Sequence, residues 1–307
     1  MNLRSPLLLL ALPAAVFVRS AQQPPVRDPH TFRSGIDITG VTVTVRDSGG
    51  RLVTGLSRDD FDIFEDGERQ NITQFTSERV PLSLGALVDI SDSMFGRRID
   101  DARQAVNRFL FEQLDQDDEF FILAFNHRPH VMTTWTHTPD VVGQALDSLR
   151  PSGGTAVYDA VLDALPLIAH RNRERAALLI VSDGSDTAST AGLREVRTAL
   201  RRSQAFVYAI AINPPDSKTI NGRVNPTTLR EITDESGGRT EVVQTSADIV
   251  AASARIADEL NHQYVIGYPP PHGADGQYHS IRVRSHGTDY RVRARSGYVA
   301  DPATPKS

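Results

Sequence analysis

Residues 84–88 are apolar throughout, and the run stops abruptly in Asp89, Ser91 and Ser93. An apolar stretch too short for a helix of its own, bounded by a polar cluster, reads as a strand buried on both faces. The cluster then lies just past the strand's carboxyl end. In open parallel α/β sheets that edge is where ligands bind, because its loops converge on helix N-termini. One carboxylate and two hydroxyls at alternate positions supply hard oxygen donors, which suit Mg2+, Mn2+ or Ca2+ and not zinc.

The rest of the chain supplies the elements such a strand needs. Between residues 82 and 262 short apolar runs alternate with helical periodicity. Ile99, Ala102, Val106, Phe109 and Leu110 share one helical face, as do Val157, Val161, Ala164, Leu165 and Ile168. Residues 120–125, 176–181 and 205–211 read as buried strands, and 131–135 as a short edge strand. Leu229 and Ile232 mark a short helix stopped by Gly237-Gly238, and Ser246 is expected to cap a last helix carrying Ile249, Val250, Ile256 and Leu260. The alternation predicts an α/β fold, a Rossmann-like doubly wound, mostly parallel sheet over residues 82–262. On either side the period changes to two. Val41, Val43 and Val45 alternate with polar residues, further short strands are expected at 61–64 and 72–75, and Tyr264, Ile266, Ile281, Val283, Tyr290 and Val292 continue the pattern beyond the last helix. Two or three short strands bury little alone. Residues 35–78 and 263–298 are therefore expected to pair into one β-sandwich-like module.

Residues 1–20 carry Arg4, an apolar stretch broken by Pro13, and small residues at Ser20 and Ala21, the layout of a secretory signal peptide. Residues 21–34, with Gln22, Gln23, Pro24 and Pro25, read as a flexible spacer. No second apolar run is long enough for a membrane span. The chain has no cysteine, so an exported domain must hold together by its core alone, as a bacterial periplasmic or secreted protein would. Asn71-Ile72-Thr73 matches a glycosylation pattern that carries little meaning in a bacterial host. With 33 basic and 38 acidic residues and a net charge of −5, the chain lacks the basic footprint of a nucleic-acid binder.

Two further stretches share the character of the first cluster. Ser152-Gly153-Gly154-Thr155 places a hydroxyl just before a helix, and Ser182-Asp183-Gly184 places a carboxylate at the end of the strand 176–181. Each piece alone has a structural explanation: Asp89 or Thr155 as a helix cap, Asp183-Gly184 as a turn. If the strands ending at Asp89 and Ser182 are neighbours, all three loops meet at one switch point and surround it with two carboxylates and three hydroxyls. Such a set gives Mg2+ an oxygen shell with a position open to an outside ligand, and two negative charges leave the ion electrophilic enough to take an acidic side chain.

Asp89-x-Ser91-x-Ser93, Thr155 and Asp183 resemble, at all five positions, the metal-ion-dependent adhesion site (MIDAS) of von Willebrand factor type A (VWA) domains. The resemblance covers roughly residues 82–260, including Leu229-Arg230-Glu231-Ile232 and Gly237-Gly238. The flanks LVTGLSRDDFDIFEDG, QYVIGY and YRVRARSGYVA resemble a group of exported bacterial proteins built around such a domain. The resemblance implies direct ligation by Ser91 and Ser93, ligation by Asp89 and Asp183 directly or through water, and a state-dependent contact from Thr155. Asp92, between the serines, is often glycine in relatives; it and Asp186 are candidate neighbours of the ligand set.

Enzymatic readings fare poorly. A phosphatase-like use of Asp89 needs a second carboxylate at the position held by Ser91. No nucleophile elbow, zincin helix, phosphate-binding loop or dinucleotide fingerprint occurs. His127, His130 and His137 lie close in sequence, but their spacing around Pro129 suits a surface loop. The expectation is a non-enzymatic module that captures an Asp or Glu of a protein partner through a divalent cation, with no nucleic acid involved. The alternative is a scaffold or chaperone-like subunit of an envelope complex in which the metal site is auxiliary.

Overall fold

The computed structural model describes residues 38–300 except 114, 185, 204, 214–225 and 288. The expected signal peptide and spacer lie outside the described residues. Four short strands come first, β1 (Thr39–Arg46), β2 (Phe61–Glu65), β3 (Glu68–Gln70) and β4 (Gln74–Thr76). β2 and β3 form a hairpin whose turn, Asp66-Gly67, has positive φ at both positions, 49° and 89°. That is the backbone twist a two-residue hairpin turn requires.

Strands and helices then alternate. They are β5 (Leu82–Asp89), α1 (Arg97–Arg108) with a π-helical continuation, β6 (Glu119–Phe125), β7 (Pro129–Thr136), α2 (Pro139–Ser148) and α3 (Val157–Ala169). β8 (Arg175–Ser182), α4 (Leu193–Arg202), β9 (Phe206–Ile212), α5 (Pro226–Ser236), β10 (Thr240–Val243) and α6 (Ser246–Asn261) follow. The chain returns to strands in β11 (Tyr264–Tyr268), β12 (Tyr278–Ser285), β13 (Arg291–Arg293) and β14 (Gly297–Val299).

The central sheet has six strands in the order β10-β9-β8-β5-β6-β7, parallel except for the antiparallel edge β7. Every residue of β5 is buried. Side chains alternate between the faces of a strand. Leu84, Ala86 and Val88 pack on one side with Ile99, Val106, Leu146, Ile249 and Ile256 from α1, α2 and α6. Leu87 packs on the other with Val157, Val161, Val196 and Leu229 from α3, α4 and α5. Helices on both faces explain why β5 has no polar residue before Asp89 other than Ser83, whose Oγ bonds Glu119 Oε1 at 2.6 Å.

The flanking strands form two four-stranded sheets, β13-β1-β11-β4 and β14-β12-β2-β3. Each mixes strands from both ends of the chain, with Val41 opposite Ile266 and Ile63 opposite Val283. The sheets share a core of Val41, Val43, Val45, Phe61, Ile63, Tyr264, Ile266, Tyr268 and Ile281. Each of these larger side chains stabilises the module by about 1.5–3 kcal/mol through burial.

Several local details differ from the sequence pattern. Helices α2 and α4 and strand β10 were not anticipated. α4 presents Leu193, Val196 and Leu200 at helical spacing toward the core, and α2 buries only Val142, Ala145 and Leu146 around Gly143. α6 is capped by Thr245, whose side chain accepts from Asp248 N, and not by Ser246. The strand expected at 72–75 is displaced to Gln74–Thr76, and the edge strand expected at 131–135 extends from Pro129 to Thr136.

Candidate functional site

β5 and β8 run side by side with Val88 opposite Val181, so Asp89 and Ser182 emerge as neighbours at the carboxyl edge of the sheet. Ser182 donates its hydroxyl to Asp89 Oδ2 at 2.6 Å, and the Ser91 backbone amide donates to Oδ1 at 2.8 Å. Both oxygens of Asp89 are thus engaged and the residue is fully buried. Burial, reinforced by the charge of nearby Asp183, pushes the Asp89 carboxyl up to about 7 against the opposing effect of those hydrogen bonds. Beyond it a single turn of 3-10 helix at Asp92–Met94, anchored by the buried Met94, brings Ser93 Oγ to 2.9 Å from Ser91 Oγ.

The loop before α3 is stapled to this turn by two backbone bonds, Ser152 N to Ile90 O at 2.7 Å and Asp92 N to Gly153 O at 2.8 Å. Gly153 has φ of 77°, and a Cβ there would lie 2.8 Å from His127 Nδ1, so the close approach needs glycine. Thr155 follows, buried, its amide donating to Thr187 Oγ1 at 2.9 Å and its carbonyl accepting from Thr187 N and Ala188 N. The residue at the cap position of α3 is Ala156, not Thr155. Asp183 lies just past β8 and is 5% exposed. Its Oδ2 accepts from Arg98 Nη1 at 3.1 Å, while Oδ1 is enclosed and has no hydrogen-bond partner among the described residues. A buried carboxylate oxygen left unsatisfied costs free energy that a bound ion or water would recover.

The three expected loops therefore lie at one edge of one sheet. Asp92 is exposed on the turn, its backbone rather than its carboxylate tied to the neighbouring loop. Asp186 is committed elsewhere: its carboxylate accepts from Tyr158 N at 3.1 Å, in the first turn of α3, and from Ser189 Oγ at 2.6 Å. Arg98 was not singled out by the sequence pattern. It spans the cluster from the first turn of α1, donating to Ser93 O at 2.8 Å as well as to Asp183. His127, His130 and His137 form no ligand group among the described residues, and His137 Nδ1 is taken up by Asp118 O at 2.6 Å.

A doubly wound sheet with its polar cluster at the carboxyl end of an inner strand is the open α/β architecture in which the switch point is the usual place for a ligand. Residues 86–185 match the sequence model of the von Willebrand factor type A domain, and this α/β module is a domain of that family, a class of protein-interaction module. Inter-alpha-trypsin inhibitor heavy chain H2 of Sus scrofa is 24% identical over 139 residues, which are 40% of this chain and 14% of that protein. The match thus spans about a seventh of the relative's length. A von Willebrand factor type A structure from Catenulispora acidiphila superposes with a TM-score of 0.52 at 12% identity, over 87% of this chain and 75% of that one. Proximal thread matrix protein 1 of the mussel byssus, solved with its MIDAS motif occupied by zinc, superposes with a TM-score of 0.51 at 12% identity, over 64% of this chain and 49% of that one. These likenesses establish the fold. Among the described residues no helix is long and apolar enough to cross a membrane.

Proposed function

We propose that the chain is a non-enzymatic binding module that captures an aspartate or glutamate of a protein partner through a divalent cation. Asp89, Ser91, Ser93, Thr155 and Asp183 would hold the ion. The observation that carries this reading is Asp183 Oδ1, enclosed and without a hydrogen-bond partner among the described residues, on a carboxylate that Arg98 joins to the turn where two serine hydroxyls lie 2.9 Å apart. The donor set fits a hard cation: every candidate atom is oxygen, and only two carboxylates contribute charge. Ser91 and Ser93 offer hydroxyls, Asp183 offers Oδ1, and Asp89, with both oxygens already accepting, is arranged to hold a water of the shell more readily than the ion itself.

Mg2+ is the ion this oxygen set favours in an ordinary ionic medium, with Mn2+ or Ca2+ as substitutes; zinc in the MIDAS motif of the byssus protein supports a divalent ion at this place in the fold. When bound, the ion supplies a Lewis-acidic position for a carboxylate from outside. The chain's own residues fix the geometry: Ser182 orients Asp89, and Arg98 orients Asp183. Asp186 is committed to the Tyr158 amide of α3 and to Ser189, which argues against its use as a general base. The leader-like residues 1–20 and the absence of cysteine support export to a bacterial periplasm or beyond.

Capture from envelope extract with Mg2+ and with EDTA tests the reading. Partners retained only with Mg2+, and lost in Asp89→Ala, are expected. Capture that chelator leaves unchanged would transfer the binding role to the β-sandwich and make the chain a scaffold.

A further inference from the structure

A second group of ligand-type side chains lies in the β-sandwich, on elements that contribute nothing to the oxygen cluster. Glu65 closes β2 with its side chain wholly enclosed, and its Oε2 has no hydrogen-bond partner among the described residues. Its Oε1 accepts from Tyr298 OH at 3.1 Å. His272, on the loop after Pro269-Pro270-Pro271, brings Nε2 against the same oxygen, and His279, on β12, brings Nδ1 to 3.8 Å from it. The two imidazoles stack with centroids 3.3 Å apart and planes 16° from parallel. One ligand atom from each of the three residues falls within 4.8 Å of the others. Ligands of a tetrahedral shell with bonds of about 2.0–2.2 Å lie roughly 3.3–3.6 Å apart, so small side-chain rotations bring the three atoms onto one ion.

The outer ring nitrogens decide what the inner ones can do. His272 Nδ1 lies 2.9 Å from Gly273 O and His279 Nε2 lies 3.2 Å from Asp275 Oδ1. Both partners only accept, so these outer nitrogens carry the N–H. In the neutral rings the inner nitrogens, His272 Nε2 and His279 Nδ1, then present lone pairs to Glu65. His279 Nδ1 also lies 2.7 Å from Asp66 Oδ2, another acceptor. Lone pairs facing carboxylate oxygens repel them unless a proton or a metal ion lies between. Protons on both inner nitrogens would set two cations face to face at stacking distance, whereas one metal ion satisfies all the donors at once. An outer N–H held by a carbonyl or carboxylate is also the usual support of a metal-binding histidine. Asp66 is kept in place by the hairpin turn and by accepting from Ser280 N at 2.8 Å.

We propose that Glu65, His272 and His279 bind a zinc-class transition-metal ion, with water completing the shell, so that the ion clamps the 269–277 loop onto the β2–β3 hairpin. Two imidazoles and a carboxylate select Zn2+ over Mg2+ or Ca2+, the reverse of the oxygen cluster. Asp275 is a positioning residue that fixes the His279 tautomer.

The test uses the full chain carrying Asp89→Ala, so that zinc at the oxygen cluster is excluded, stripped with chelator and titrated with Zn2+ against a chromophoric competitor. One zinc per chain is expected. Adding His272→Gln should weaken binding by more than roughly 100-fold, and Asp275→Asn by about 10–100-fold. Equal melting of the His272→Gln and parent chains in chelator establishes that the variant folds. If it does not fold, pulsed electron paramagnetic resonance on the Cu2+-loaded Asp89→Ala chain still decides: coupling to imidazole nitrogens is expected, and its absence overturns the assignment. No zinc taken up by Asp89→Ala, or equal affinity with and without His272, also overturns it.

Discussion

Arg98 Nη1 donates both to Ser93 O, at 2.8 Å, and to Asp183 Oδ2, at 3.1 Å, and so joins two of the three loops that carry the candidate ligands. Both side chains are largely buried, 12% and 7% exposed. The guanidinium pairs with Asp183 through Oδ2, and Oδ1 is left without a hydrogen-bond partner among the described residues. Replacing the guanidinium with an apolar group leaves a buried carboxylate unpaired, at a cost of about 3–5 kcal/mol. Arg98→Leu is therefore expected to melt well below wild type in EDTA and to recover much of the loss in Mg2+, because the ion replaces the missing charge. Thermal denaturation with and without Mg2+ measures this. An equal Mg2+ shift in both chains would mean that Asp183 does not face the ion.

Asp89 gives a pH dependence of defined sign. Its protonation is displaced from 3.8 to about 7 by burial. An acid displaced upward on folding stabilises fully below the lower value and loses that contribution as pH rises through the upper one. The full displacement is worth on the order of 4 kcal/mol. In EDTA, Asp89→Asn should match wild type near pH 4 and exceed it in stability above pH 7. Urea denaturation at the two pH values checks this, and a constant difference would contradict it.

Asp92 is exposed beside the cluster, and its amide holds Gly153. Asp92→Asn keeps that amide and removes only a solvated charge. The expected loss of Mg2+ affinity corresponds to less than about 1 kcal/mol and fades in high salt. Affinity measured at two ionic strengths separates this from a ligand role, for which the loss would be large and salt-independent.

Glu259, near the end of α6, ties the VWA domain to the sandwich. Its wholly buried carboxylate meets Arg46 Nη2 at 2.7 Å and Arg239 Nη1 at 3.7 Å, pairs with Arg293, and accepts from Tyr208 OH at 3.0 Å. Glu259→Gln removes the negative charge that three guanidinium groups share. A loss of about 3–5 kcal/mol is expected by chemical denaturation. A loss below about 1 kcal/mol would show that these contacts are not stabilising.

How much was legible in the sequence follows from locality. β5 and β8 were readable because strands covered on both faces are unbroken apolar runs, and their abrupt ends in Asp89 and Ser182 marked the loops of the candidate site. Period-two alternation around Val41, Val43 and Val45 exposed the sandwich strands. Helix α2 was hidden because it buries three apolar side chains only, around Gly143, whereas α4 carries a local signal in Leu193, Val196 and Leu200. The remaining misses are pairings across sequence. Arg98 meets Asp183 85 residues later, and Asp186 belongs to α3 because its loop folds back on Tyr158. Glu65 meets His272 only because β2 pairs with β12. No local spacing encodes such meetings; the register of the sheets does.

The most direct test of the central claim is calorimetric titration of Mg2+ into the full chain and into Asp89→Ala and Ser91→Ala. One Mg2+ per wild-type chain, with binding lost in both variants while their folds persist by circular dichroism, is the predicted result. Equal Mg2+ binding by all three chains, or none by wild type, would contradict it.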